Sequence, residues 1–272
     1  MESKKFNKFA AIAVSAVLGM VVQSPAADAW LNHGGSAAHI DLDSGAGMDT
    51  WSVGGQNQLA KQWFYYRTDS GVAKPINAIS AANVLYSDAT TLVAEYANLD
   101  FSLSISYILT GGGFGAGSAD ILETISINNL SGAPLNFHFF QYSDFNLLGT
   151  QGNDEVEFLS ASSVIQTEGV FGIQEGIILP PSTYREAALA GPGGTLDNLL
   201  NTAGYNLNGN SGPLTGDVTW AFQWDHQIGI GQSLEIYKDK TLIVPVIPEP
   251  TVMSLVTMCL GAGFLLRRRH AK

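Results

Sequence analysis

The stretch "FSLSISYIL", Phe101 to Leu109, sets Phe101, Leu103, Ile105, Tyr107 and Leu109 against Ser102, Ser104 and Ser106. Successive side chains of an extended chain point to opposite faces, so this period of two predicts a half-buried antiparallel strand. One face is apolar enough to pack on a core, and the other is all serine.

The same signal repeats outward from it. "DILETISIN" (Asp120 to Asn128) and "LNFHFFQYS" (Leu135 to Ser143) flank the Gly/Pro/Asn-rich "NLSGAP" and predict two strands of a hairpin, with Ile121, Ile125 and Ile127 towards the core. "VTWAFQW" alternates Val218, Trp220, Phe222 and Trp224 with Thr219, Ala221 and Gln223, and "SLEIY" follows the turn-like "IGIGQ". Further strands are expected at "QWFYYR" (Gln62 to Arg67), "TLVAEYA" (Thr91 to Ala97), Val156 to Leu159 and "TLIVPV" (Thr241 to Val246). Helix is expected only near Tyr184 to Ala190 and Leu196 to Thr202, separated by "GPGG". Many strands at short spacing with few helices predict an all-β protein. The expected architecture is an antiparallel β-sandwich with a short helical insertion between Pro180 and Gly212, a closed barrel being the alternative.

Composition narrows the function classes. Of the 272 residues, 46% are hydrophobic, enough to build a core, while only 14% are charged. Between Trp30 and Ile247 stand twenty-one acidic residues against six basic ones, Lys61, Arg67, Lys74, Arg185, Lys238 and Lys240. A phosphate-binding surface needs clustered Lys and Arg, so nucleic acid is excluded as an expected partner.

Candidate chemistry is sparse. In "HIDLDSGAGMDTW", Asp41, Asp43 and Asp49 with Gly45 and Gly47 form a loop that could offer hard oxygen ligands to a structural Ca²⁺, although Ser52 stands where an EF-hand has its bidentate Glu. Otherwise that loop is a turn whose Asp and Gly residues serve backbone geometry. Glu155 and Glu157 share one strand face, a pair that a glycosidase or a metal could use. His226 in "WDHQ" could line a site with Asp225, and His138 reads as decoration of a sheet face. There is no Gly-x-Ser-x-Gly elbow, and the glycines from Gly111 to Gly117 lack the Gly-Lys-Ser/Thr ending of a phosphate loop. No catalytic residue emerges. Aromatic rings are the remaining lead: Trp63, Tyr65 and Trp224 are candidates for stacking on a glycan, against the reading in which such rings build the core.

Both ends have the form of processing signals. Residues 1–29 carry Lys4, Lys5 and Lys8, an apolar stretch from Phe9 to Val22, and Ala27-Asp28-Ala29 as a small-x-small cleavage site for signal peptidase after export by the Sec machinery. At the other end, Pro250 to Leu266 contains no charge and would make a transmembrane helix about 25 Å long. Arg267, Arg268 and Arg269 behind it would stay cytoplasmic by the positive-inside rule. The sole cysteine, Cys259, lies within this run.

Pro248-Glu249-Pro250, the short apolar helix and the Arg267–Arg269 cluster resemble the PEP-CTERM sorting signal of Gram-negative bacteria. That resemblance, limited to the last 26 residues or so, implies an exosortase as partner. It also implies membrane anchoring on the periplasmic side before cleavage, then a cell-surface or extracellular location. The expected organisation is a signal peptide (1–29), an exported β-domain (30–246) and a sorting segment (247–272). The expected role is non-enzymatic, structural or adhesive in a biofilm or exopolysaccharide setting. A carbohydrate-binding module and an extracellular polysaccharide hydrolase are the alternatives.

Overall fold

The computed structural model describes residues 28–113 and 117–244. Residues 1–27 of the signal segment, including Ala27, and the sorting segment with Pro248, Glu249, Pro250 and Arg267 to Arg269 lie outside them. Among the described residues no helix is long and apolar enough to cross a membrane. The strands run in chain order as β1 (Asp28–His33), β2 (Ser36–Asp41), β3 (Gly47–Val53), β4 (Gln56–Asn57), β5 (Leu59–Arg67), β6 (Lys74–Pro75), β7 (Asn83–Ser87), β8 (Thr91–Ala97) and β9 (Phe101–Gly111). They continue as β10 (Ser118–Asn129), β11 (Leu135–Phe145), β12 (Asp154–Ser160), β13 (Ser163–Glu168), β14 (Phe171–Leu179), β15 (Tyr184–Leu189), β16 (Leu214–Gly216), β17 (Val218–Ile228) and β18 (Ser233–Ile243), with one helix, α1 (Thr195–Asn201).

These strands form two antiparallel sheets. The first has the order β1-β2-β3-β5-β11-β17-β15, with β4 beside β3 and β6 beside β5. The second has the order β16-β12-β13-β14-β18-β10-β9-β8-β7. The described residues therefore form an all-β two-sheet sandwich with one short α-helix. β9 behaves as its alternation predicts, burying Phe101, Leu103, Ile105, Tyr107 and Leu109. Between the sheets, Phe64 stacks on Phe139 at 5.5 Å and Phe145 on Trp220 at 6.0 Å.

Two expectations need correction. β10 and β11 are not a hairpin: β10 pairs with β9 and β18 in one sheet, and β11 with β5 and β17 in the other. "NLSGAP" is a crossover, held by the Asn129 side-chain amide, which donates to the carbonyls of Ala133 at 2.8 Å and Ile228 at 2.9 Å. One asparagine thus ties together two of the places where the chain changes sheets, the β10–β11 and β17–β18 connections. Tyr184 to Leu189 is likewise strand and not helix, because it pairs along β17 and points Glu186 beneath the 190–213 segment, where it accepts bonds from Thr195, Tyr205 and the Asn208 N–H. Tertiary pairing overrides the helix preference of its alanines. The second expected helix is α1.

The sandwich interior also holds charge. Glu123 on β10, Glu175 on β14, and Lys238 and Lys240 on β18 are fully buried. In register, Glu123 lies opposite Lys238, and Glu175 opposite Lys240. Both lysine ammonium groups bond the Glu123 carboxylate. Lys240 also reaches Gln62 on the facing sheet, and Gln141 from that sheet donates to Glu175 at 2.9 Å. Burial alone would raise Glu123, but the two lysine charges outweigh it and hold its carboxyl below the usual range, whereas burial keeps Glu175 raised.

The outer face of the first sheet is covered in turn. Trp63 donates to Asn77 at 3.3 Å, the Ala73 N–H bonds Leu199 at 2.9 Å and the Leu207 N–H bonds Gln223 at 2.8 Å. Segments 68–82 and 190–213 thereby make a third layer, with Ala73, Ile76, Leu199 and Leu207 buried beneath it.

Two further carboxyls are pushed up. Burial, with Glu168 nearby, raises Asp154 to about 7, and burial with Asp217 raises Asp144 to about 6. Each holds its proton in the folded chain at pH values where the unfolded chain has lost it. Their contribution to stability is therefore complete below about pH 4 and lost as pH rises through 6 and 7. His39, also raised, acts in the same direction. The thermal midpoint should fall between pH 5 and pH 8, and over pH 4 to pH 8 Asp154→Asn should lift the pH 8 value by on the order of 5 °C while leaving the pH 4 value nearly unchanged. Calorimetry of both proteins across that range checks this.

Candidate functional site

At one end of the first sheet the third layer stops, leaving a shallow hollow of about 320 Å³ lined by Asn136, Phe137 and His138 of β11 and Asp225, His226 and Gln227 of β17. Strand pairing builds it. His138 lies opposite Asp225 on one side and opposite Arg67 on the other, so a cation, an imidazole and a carboxylate stand in one row across β5, β11 and β17. Asn136 lies opposite Gln227 in the same direction, their amides bonded at 3.2 Å.

His138 Nδ1 is 2.7 Å from Asp225 Oδ1. A carboxylate accepts, so this bond places a proton on Nδ1, while Nε2 takes no bond among the described residues. Asp225 is itself held. Its Oδ1 accepts from Gln223 Nε2 at 2.8 Å, and its backbone N–H donates to Thr183 at 3.0 Å. Gln223 also donates to Asn206 Oδ1 at 2.8 Å, and the same oxygen takes a bond from Arg67 at 2.9 Å. Arg67 continues to the Tyr205 carbonyl at 2.8 Å and lies 5.7 Å from the Phe140 ring centre. Burial lowers its pKa, opposed by Asp225 and Asp69. The 190–213 excursion therefore braces the hollow from below. On the neighbouring strand, Tyr184 lies opposite Gln223 and is 41% exposed.

A braced His–Asp pair and two amides can donate to and accept from several hydroxyls at once. The pair has the form of an acid–base dyad, with Nε2 as its working atom.

Of the expected residues, Asp225 and His226 line the hollow and the others fall elsewhere. Trp63 (0% exposed) and Tyr65 (1%) lie under the third layer, and Trp224 (0%) is in the inter-sheet core with its indole N–H on the Pro180 carbonyl at 3.0 Å. None presents a face to solvent. Asp41 spends its carboxylate on Ser44 and on the N–H groups of Asp43 and Ser44, whereas Asp49 binds His39 at 2.7 Å. The two aim at different partners, and among the described residues no group of three His, Cys, Asp or Glu side chains is placed to hold a metal ion. Of the cleavage motif, Asp28 and Ala29 are the first two positions of β1, opposite Asp41 and Ile40, and Asp28 bonds His39. Glu155 and Glu157 do share a face of β12, and that face is exposed. Of the two histidines singled out near "WDHQ" and "LNFHFFQYS", the structure gives the bonded role to His138; Arg67, Asn206, Gln223 and Tyr184 carry no motif.

No protein-family model and no curated protein matches the sequence. Solved structures do. A bacterial glucoamylase complexed with acarbose is 6% identical with a TM-score of 0.58, over 87% of this chain and 36% of its own, so this chain spans about a third of that enzyme. A galactose mutarotase-like protein from Lactobacillus casei ATCC 334 is 8% identical over 79% of this chain and 99% of its own, with a TM-score of 0.54. A candidate aldose 1-epimerase from Escherichia coli K12 is 9% identical over 81% and 99%, with a TM-score of 0.53. The likeness is one of fold.

The placement of Trp224 gives a direct expectation. Trp224→Ala should destabilise the folded protein by about 3–5 kcal/mol, the usual cost of emptying a buried aromatic site. Urea unfolding measures this; an unchanged midpoint would mean that the ring is not core.

Proposed function

We propose that this sandwich is a carbohydrate-binding domain whose contacts centre on the hollow at His138 and Asp225. The observation that carries the reading is the His138–Asp225 pair, braced through Gln223, Asn206 and Arg67, with Asn136 and Gln227 on its far side. A sugar ring presents hydroxyls that both donate and accept, and each needs a fixed partner to be told from water. Tyr184 offers an exposed ring on the neighbouring strand. The fold supports the same ligand class, since proteins of this architecture carry names from sugar chemistry.

The wider role we propose combines this site with the sorting segment. The chain is exported, recognised by an exosortase at Pro248, Glu249 and Pro250, and placed at the cell surface, where it holds extracellular polysaccharide without turning it over. A glycan array probed with the purified protein should give binding to at least one glycan class. Asp225→Ala and His138→Ala should each weaken it by on the order of 10- to 100-fold, the value of one charge-assisted hydrogen bond. Folded protein that binds no glycan sinks the proposal; release of a sugar product would move the assignment to a hydrolase.

A further inference from the structure

Lysine and glutamate side chains do not condense in water, because both are ionised and solvent drives the amide back to acid and amine. A dry interior holds no bulk water, and it lessens the first obstacle where a second buried carboxyl stands beside the amine to take its proton. The centre of this sandwich supplies such a place, with every reacting group fully buried.

Glu123 and Lys238 stand directly opposite on β10 and β18, and Lys238 Nζ bonds Glu123 Oε2. Lys240 Nζ bonds the other oxygen, Oε1, and is itself held by Gln62. Glu175 Oε1 lies 3.4 Å from Lys238 Nζ and is buried with no hydrogen bond of its own, while Gln141 holds Oε2 of that carboxyl. A nucleophile, an acyl group, a cation on the carbonyl oxygen and a free carboxyl oxygen beside the nucleophile are thus assembled around one carbon. A noncovalent network of the same residues leaves four desolvated charges between the sheets and orphans Glu175 Oε1, Gln62 Nε2, Gln141 Oε1 and Tyr107 Oη.

We propose that Lys238 Nζ and Glu123 Cδ become joined by an amide bond after folding, stapling β10 to β18. Glu175 takes a proton from the Lys238 ammonium, and the freed amine attacks Glu123 Cδ. Charge gathers on Oε1 beside Lys240. The C–Oε2 bond then breaks as Oε2 receives the proton held by Glu175 and a second from the same nitrogen, and it leaves as water. One ammonium and one carboxylate give one amide and one water, with no oxidant or co-reactant and no net change in protons. Lys240 and Glu175, opposite each other in register, remain as a balanced pair. The staple spans 115 positions of sequence in a chain whose single cysteine, Cys259, can make no internal disulfide. This inference is independent of the carbohydrate reading.

Mass spectrometry of the folded full-length chain, or of its processed form, tests it. The expected mass is lower than that of the sequence by one water. After denaturing digestion, the peptides carrying Glu123 and Lys238 should travel as one branched species that resists reduction. Lys238→Met should restore the full mass. Glu175→Gln should slow the loss of water after refolding by on the order of a hundredfold, as removal of a proton carrier does. Wild-type protein that unfolds cooperatively yet keeps the full sequence mass overturns the proposal, as does a branch mapped to Lys240 or Glu175.

Discussion

The two sheets face each other as they do because of charge that has nowhere else to go. Lys238 and Lys240 occupy inward positions of β18 between Ile236 and Leu242, and a buried ammonium costs several kcal/mol unless it is met by acceptors. Glu123 and Glu175 meet them from the neighbouring strands, and Gln62 and Gln141 from the opposite sheet. Hydrophobic contacts alone tolerate sliding of one sheet over the other. A directional network between β5 and β11 on one side and β10, β14 and β18 on the other does not, because a shift of one residue would expose every carboxylate to hydrocarbon.

That fixed facing decides where a ligand can bind. Under the carbohydrate proposal, with the inner face filled by aromatics and the ionic network, the ligand meets the outer face of the first sheet. There the 68–82 and 190–213 segments bury Trp63, Tyr65, Phe140 and Tyr142. The end formed by the start of β11 and the close of β17 carries the hollow. The cover also positions the site: Asn206 and Tyr205 orient Arg67 and Gln223, and Gln223 orients Asp225. The excursion that looks like an insertion in the sequence is a structural support for the hollow.

Period-two alternation made the strands of β9, β10, β11 and β17 readable, since one neighbour on each side suffices to define a face. Pairing was not readable. The β10–β11 connection contains the turn residues of a hairpin, and only Asn129, bonding carbonyls about 100 positions away, shows that the chain is crossing between sheets. β15 failed for a related reason: its alanines favour helix locally, while Glu186 finds its three partners only in the folded excursion. Lys238 and Lys240 stand in phase with Leu234, Ile236 and Leu242, so their burial was visible as an interrupted alternation. "WDHQ" was the hollow's local trace, since Asp225 and His226 both line it, but the His138 partner was not readable, because His138 and Asp225 are 87 positions apart and meet only through strand register.

The same register relates the hollow to the chain's onward path. β18 starts beside Asn129 and the close of β17, near the hollow, and ends at Ile243, where the Val244 N–H bonds the Gly117 carbonyl. Its eleven residues at about 3.3 Å per step place the exit towards the sorting segment roughly 33 Å from the hollow's end of the sandwich. Under the sorting proposal, only Val244 to Ile247 separate that exit from Pro248, so an anchored chain would hold its exit end against the membrane and turn the hollow outward. A ligand would then meet the same surface before and after cleavage. An address at one end of β18 and a binding surface at the other need no conformational coupling between them.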